Sequence, residues 1–309
     1  MTVTVAKTAG FCYGVKRAVE LAQQAAQDGK PCVMLGPIIH NAHVVDALAE
    51  QGIGCVNSPE EVPEGSRVII RSHGESQAVY EQLRARGAEI LDATCPNVGR
   101  IHELVRKAEQ NGRLPVIVGT RTHPEVVATA GWCQRALVVE SGQELEDWLK
   151  EAPQRRDLPL TLVSQTTSTK EIWDSAIKKA KKECTNVEIF DTICNATYNR
   201  QREAKTLSEQ CEVMIVIGDP QSSNTRHLAE LCQMRCDRVI WIESAEELSI
   251  QGLADVASVG ITAGASTPGW IIKEVKNKMS EEMKVETAME ENFAELLEQS
   301  IKTLNNGDK

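Results

Sequence analysis

Short apolar runs alternate along this chain with longer segments in which apolar residues return every three or four positions, and the alternation repeats three times. The clearest marker of the repeat is a cysteine between an extended run and a helical one. Cys12 precedes "GVKRAVELAQQAA", Cys95 opens the run "PNVGRIHELVRKA", and Cys194 opens "NATYNRQREAKTL". Each helical run leads to an apolar strand, "PCVMLG", "LPVIVG" or "VMIVIG", ending on a glycine. Those glycines, Gly36, Gly119 and Gly218, each stand 24 residues beyond their cysteine. Four residues further on are His40, His123 and Ser222, each at the start of another helical run.

The second half of each unit repeats as well. Ser58 and Glu61, Ser141 and Glu144, and Ser244 and Glu247 share the S-x-x-E spacing of a capping box. A last strand follows, "RVIIRSHG", "LTLVSQTT" or "ASVGITAGAS", with His73, Thr166 and Ser266 just past its end. Strands alternating with helices in this way imply parallel sheets covered by helices. The expected fold class is α/β, with three pseudo-threefold-related units over residues 1–93, 94–191 and 192–280. Residues 281–309 fall outside the repeat, as an acidic, amphipathic tail in which Phe293, Leu296, Leu297, Ile301 and Leu304 recur at helical spacing.

Composition narrows the class. A hydrophobic content of 41% and a charged content of 25% are those of a soluble globular chain. A formal charge of −10 argues against a surface that coats nucleic acid. No apolar run approaches the ~18 residues of a membrane span, and the start has no signal-peptide pattern, so a cytoplasmic location is expected. Ten cysteines in such a chain are expected to be reduced thiols. No C-x-x-C pair, P-loop or G-x-G-x-x-G occurs, which disfavours zinc ribbons, thioredoxin-type chemistry and a bound nucleotide.

Repeat-equivalent residues can meet on a pseudo-threefold axis, and ligands of open α/β units gather at strand carboxyl ends beside helix N-termini. Cys12, Cys95 and Cys194 occupy that place. A helix start favours the thiolate, and three thiolates at one point suit zinc, Cu(I) or an iron–sulfur cluster. A [4Fe–4S] cluster ordinarily has four cysteines; held by three, it keeps one iron free. Cys32, Cys55, Cys133, Cys184, Cys211, Cys232 and Cys236 do not recur in register and are expected as small buried side chains. His40, His73, His123, Thr166, Ser222, Ser223, Asn224 and Ser266 make a donor-rich pocket suited to phosphate groups. His43, His102 and His227 lie within helical runs and are expected to be structural. Glu125 is the one acidic residue at its repeat position, where the other units have Ala42 and Asn224. Burial would raise its pKa and suit it to proton donation; otherwise it is a helix-start glutamate favoured by the dipole.

The motifs "GFCYGV", "HN" at His40, "SHG", "DATCP", "THPEV", "SQTT", "SSNT" and "TAGAS" stand in order from about Thr2 to Lys278. Together they resemble the 4-hydroxy-3-methylbut-2-enyl diphosphate reductase (LytB) family, which acts last in the non-mevalonate isoprenoid pathway. The resemblance implies three α/β units around a central [4Fe–4S] cluster on Cys12, Cys95 and Cys194, with one iron open to substrate. It implies an iron–sulfur oxidoreductase that reductively dehydroxylates an allylic diphosphate to isopentenyl and dimethylallyl diphosphate, with ferredoxin or flavodoxin as electron donor. Glu125 would deliver protons and Thr166 would stand beside the substrate oxygen. His40, His73, His123, Ser222, Ser223, Asn224 and Ser266 would surround the diphosphate and hydroxyl. "RSHGES" departs from the family's usual continuation at Glu75. A redox-neutral iron–sulfur hydro-lyase acting on a phosphorylated substrate is the alternative enzyme, and a non-catalytic diphosphate or cluster sensor the alternative without chemistry. The tail resembles the linker that in fused members leads into an RNA-binding module; the core itself is expected to bind neither nucleic acid nor membrane.

Overall fold

The computed structural model describes residues 1–253 and 256–280. In chain order, β1 (Thr2–Val5) is followed by α1 (Tyr13–Gln27), β2 (Cys32–Leu35), α2 (Ala42–Glu50), β3 (Gly54–Val56), β4 (Arg67–Ile70), α3 (Gln77–Ala85) and β5 (Glu89–Asp92). Then come α4 (Pro96–Gln110), β6 (Leu114–Val118), α5 (Pro124–Ala130), β7 (Leu137–Val139), α6 (Gly142–Glu151), β8 (Leu160–Ser164), α7 (Lys170–Glu183) and β9 (Val187–Ile189). Last are α8 (Asn195–Ser208), β10 (Val213–Ile217), α9 (Ser223–Gln233), β11 (Arg238–Ile242) and β12 (Ser258–Ala263), with residues 269–280 helical.

The strands form three four-stranded sheets with orders β3-β2-β4-β5, β7-β6-β8-β9 and β11-β10-β12-β1, and every pairing is parallel. The α/β expectation and its threefold pattern are met. The sheets cut across the sequence units at one place: β1 pairs with β12, so the first strand completes the third sheet and not the one that follows it. Parallel sheets with helices on both faces need central strands that are apolar throughout. Accordingly β4, β8 and β10 are buried at every position. In the first unit Met34 and Ile69 pack beneath α1, while Leu35, Val68 and Ile70 face Tyr80 and Leu83 of α3.

Because β1 sits in the third sheet, the chain crosses between sheets three times in the same way. It leaves an edge strand (β1, β5 or β9), passes Cys12, Cys95 or Cys194, and enters a helix packed on the next sheet (α1, α4 or α8). At each crossing the cysteine N–H donates to a carbonyl two residues past the end of the neighbouring strand: Ala265 at 3.2 Å, Ser72 at 3.0 Å and Thr166 at 3.0 Å.

Local chemistry sets the helix starts. Asn41, Ser76, Ser141, Thr169 and Ser222 each accept the N–H of the third residue onward, worth ~0.5–2 kcal/mol per cap. Of the three S-x-x-E patterns, only that at Ser141 opens an α-helix. Ser58 precedes a single 3₁₀ turn and Ser244 a bend. In all three the glutamate reaches one residue further back than a capping box requires, with Glu61, Glu144 and Glu247 accepting the N–H of Asn57, Glu140 and Glu243, the residue before the serine.

Val3 and Val5 of β1 pack on the core of the third sheet. Deleting residues 1–5 should lower unfolding stability by on the order of 2–4 kcal/mol, given two half-buried valines and the loss of an edge strand. Urea denaturation followed by circular dichroism measures it; an unchanged midpoint would show that β1 does not close the sheet.

Candidate active site

One cavity, enclosing about 700 Å³ of empty space with its mouth included, is lined by all twelve residues singled out from the sequence. These are Cys12, Cys95, Cys194, Glu125, His40, His73, His123, Thr166, Ser222, Ser223, Asn224 and Ser266. The crossings bring the cysteines there, each at the N-cap of its helix. Gly14 marks how closely two of them approach. A Cβ on it would lie 2.6 Å from the Cys95 sulfur and 4.0 Å from that of Cys12. Asn97 Nδ2 donates to the Cys194 sulfur at 3.3 Å. Burial pushes the Cys95 thiol up, the N–H of Asn97 pulls it down, and the Cys12 thiol pushes it up again. The expected depression by a helix start is therefore outweighed by burial at this cysteine. A Cys95 sulfur whose ionisation the neighbouring sulfurs disfavour belongs to a site that a bound cation or cluster would relieve.

Three histidines gather in the same cavity. Ring centroids are 4.7 Å apart for His40 and His73, 5.5 Å for His73 and His123, and 6.1 Å for His40 and His123. Burial holds all three below the ordinary imidazole value: His123 falls to about 3, and His73 well below, with His40 and His123 adding to the effect. Their nearest nitrogens lie within 4.8 Å of one another, a spacing open to a divalent metal or an anion. The capping geometry favours the anion. His123 Nδ1 accepts the N–H of Glu125 at 3.1 Å, so the neutral ring carries its proton on Nε2, as a donor. Ligating a metal through Nε2 would break that cap. Five buried atoms on the cavity wall have no partner within the protein: His40 Nε2, His73 Nδ1, both side-chain polar atoms of Asn224, and Ser266 Oγ. Such atoms are rare in folded proteins, and these suit a ligand rich in acceptor oxygens.

Glu125 stands in the first turn of α5 and is only 2% exposed. Thr166 donates to it twice at 2.6 Å, from its N–H to Oε1 and from its hydroxyl to Oε2. Burial nevertheless dominates and raises the carboxyl to about 7, against the two Thr166 bonds that lower it. A carboxyl with that value exchanges protons at neutral pH. Because Oε2 and the Thr166 hydroxyl share one hydrogen bond, a proton on Glu125 lets the hydroxyl turn its own hydrogen elsewhere.

Sheet register adds residues that the sequence did not assign. Ile70, Ser164 and Ala263 pair with Leu35, Val118 and Ile217, the residues preceding the three glycines. Counting on from them, the counterpart of His73 and Ser266 is Thr167. Thr166 matches Ser72 and Ala265. This corrects the alignment of Thr166 with His73; the doubled threonine of "SQTT" allowed either. Thr167 and Gln165 stitch the second unit to the third, reaching Ser223 Oγ at 3.0 and 3.3 Å. The departure at Glu75 has a partner: its carboxylate meets Arg71 at 2.6 Å, and its carbonyl accepts from Trp132 Nε1 at 2.9 Å. Gly74 before it is confined to glycine by a φ of +76° and by His102, 2.5 Å from where a Cβ would stand.

The remaining expectations divide. His43 is exposed, His102 is buried and stacked on Trp132 at 5.1 Å, and His227 bonds the Thr167 carbonyl at 2.8 Å. Cys32, Cys232 and Cys236 are buried and Cys133, Cys184 and Cys211 half-buried. Cys55, on edge strand β3, is exposed, contrary to expectation. The amphipathic tail from residue 281 lies outside the described residues. Among those described, no helix is long and apolar enough to cross a membrane.

Comparison with known proteins bears on the family and the fold. The family model described as LytB protein matches residues 3–280. A 4-hydroxy-3-methylbut-2-enyl diphosphate reductase of Caldanaerobacter subterraneus is 40% identical over 288 residues, covering 90% of this chain and 96% of its own. One of Clostridium tetani is 42% identical over 285 residues, covering 91% of this chain but 44% of its own length. Among solved structures, an (E)-4-hydroxy-3-methyl-but-2-enyl diphosphate reductase, described as the terminal enzyme of the non-mevalonate pathway, superposes with a TM-score of 0.68 at 40% identity. It covers 91% of this chain and 100% of that one. The Plasmodium falciparum E-1-hydroxy-2-methyl-but-2-enyl-4-diphosphate reductase gives 0.83 at 26% identity, covering 89% and 86%. With the family model matched along nearly the whole described chain and a relative so similar from end to end, this chain belongs to the LytB family.

Proposed function

We propose that the chain is an iron–sulfur oxidoreductase that converts 4-hydroxy-3-methylbut-2-enyl diphosphate to isopentenyl and dimethylallyl diphosphate, the last step of the non-mevalonate pathway. The carrying observation is that one cavity holds three helix-start thiols, a buried carboxyl raised to about 7, and five unpartnered polar atoms. The reaction breaks the allylic C–O bond, takes up two electrons and two protons, and releases water.

The thiols of Cys12, Cys95 and Cys194 suit a [4Fe–4S] cluster, with Gly14 leaving the room that a side chain would fill. Such a cluster, when bound, would supply the electrons and, at the iron without a protein ligand, Lewis acidity toward the substrate hydroxyl. The imidazoles of His40, His73 and His123, neutral before the substrate arrives, would grip the diphosphate with Ser222, Ser223, Asn224 and Ser266 and orient the reacting carbon. Glu125, protonated at neutral pH in part, would give the proton that turns the leaving hydroxyl into water, with Thr166 beside it as relay. The chain has no nucleotide fingerprint, so a ferredoxin or flavodoxin would bring electrons. All ten cysteines are unpaired, in keeping with a reducing, cytoplasmic setting.

Two outcomes test these roles. Glu125→Gln keeps the shape but cannot donate a proton, so it should still bind cluster and substrate while turnover falls by roughly 10²–10⁴-fold. The wild-type rate at saturating substrate should decline as pH rises past about 7, because the acid form is lost there. A near-normal Glu125→Gln rate, or turnover that needs no reductant, would overturn the reading. Separately, the lowered imidazole values mean that the histidines are neutral before binding and that a diphosphate raises them. Binding of dimethylallyl diphosphate should therefore take up protons and tighten as pH falls from 8 toward 6. Calorimetry in buffers of different ionisation enthalpy measures this, and zero net uptake would show that the histidines stay neutral on binding and would overturn the predicted tightening at lower pH.

A further inference from the structure

Arg200 is a buried cation without a carboxylate. It lies on the second turn of α8, 4% exposed, and among the described residues no acid stands within ion-pair distance of it. Its guanidinium donates to two carbonyls, Gly10 from Nη2 and Ala196 at 3.0 Å from Nη1, while Nε has no partner. Glu203, one turn on, is engaged elsewhere. Its carboxylate takes the N–H of Lys7 at 2.7 Å, the N–H of Thr8 at 2.8 Å and the Thr8 hydroxyl at 2.5 Å. A buried guanidinium that lacks a counter-charge costs several kcal/mol. Neutral carbonyls satisfy its hydrogens but not its charge.

The carbonyls are informative. Gly10 lies two residues before Cys12, and Ala196 two residues after Cys194. One guanidinium therefore ties together the two turns that carry these thiols, one from the strand β1 loop and one from α8. Burial lowers the guanidinium's pKa, and acting in the other direction are the Cys12 and Cys194 sulfurs and then Glu203. The repeat gives no counterpart: six residues past Cys12 is Ala18, and six past Cys95 is Ile101. Arg17 makes a related grip, on the Thr94 and Asp92 carbonyls at 3.1 Å before Cys95, but it is only half-buried and water answers its charge.

We propose that Arg200 is a positioning residue of the thiol site: it clamps the Cys12 and Cys194 turns together and serves as the counter-charge of a cluster held there. This rests on the cluster reading above. A fixed cation beside a redox centre favours its more negative, reduced state and so raises the midpoint potential. It also holds two of three ligands in place, which slows loss of the metal. Lysine carries the charge but, as a single ammonium, cannot fork across two carbonyls.

The test uses anaerobically reconstituted wild type, Arg200→Met and Arg200→Lys. Midpoint potentials come from EPR-monitored titration, iron release from exposure to a chelator, and thermal midpoints from the cluster-free proteins. Arg200→Met should shift the midpoint to more negative potential and release iron about 10- to 100-fold faster. Arg200→Lys should recover most of the potential but not the retention. Cluster-free Arg200→Met should melt somewhat below the cluster-free wild type, because the Gly10 and Ala196 carbonyls lose their donor. The potential separates the proposal from a merely structural role, since Arg200→Lys restores the charge without the fork. A Met variant whose holo form matches wild type in potential and release, or a Lys variant that recovers no more of the potential than Met, overturns the proposal. Failure of the wild type itself to take up iron and sulfide would instead sink the cluster reading.

Discussion

Everything in this molecule depends on how the chain passes from one sheet to the next. Three times it leaves an edge strand, turns at a cysteine whose N–H is held by the neighbouring strand's outgoing carbonyl, and begins a helix on the following sheet. Backbone hydrogen bonds of 3.0–3.2 Å at the crossings fix the cysteine backbones before any side chain is considered. The third crossing closes only because β1 joins the last sheet. The two ends of the described core are therefore interlocked, and Cys12 is placed as much by α8, through Glu203 and Arg200, as by its own helix.

Burial then sorts the protonation states inside the cavity. It holds three imidazoles neutral, raises one carboxyl to about 7 and pushes the Cys95 thiol up. The imidazoles would repel one another once charged, and several polar atoms on the wall have no partner within the protein. Such a site suits a ligand that supplies both a cation for sulfur and oxygen acceptors for nitrogen. Arg200 is a related case, a buried charge with no carboxylate within ion-pair distance among the described residues.

Much of this was legible in the sequence because the signal was periodic. Three cysteines 24 residues before three glycines can be counted, and a resemblance of motifs then named the site residues. What was not legible depended on pairing between distant strands. No local pattern says that Thr2–Val5 pairs with Ser258–Ile261, or that Thr167 and not Thr166 lies level with His73. The S-x-x-E boxes looked alike, but only that at Ser141 opens an α-helix. Arg200 and Gly14 were missed for a related reason. Each acts on a cysteine of another segment, Gly14 on Cys95 and Arg200 on the Cys12 turn.

If the three crossings form one metal-holding site, each of their cysteines is needed to fill it. The decisive measurement is iron and sulfide analysis with Mössbauer spectroscopy after anaerobic reconstitution, comparing wild type with single serine variants at Cys12, Cys95, Cys194 and, as controls, Cys55 and Cys232. Wild type and both controls should hold a four-iron cluster with one distinguishable iron, and each of the other three variants should lose it. Full iron and sulfide content in Cys95→Ser, with an unchanged spectrum, would rule out a site shared by the three crossings.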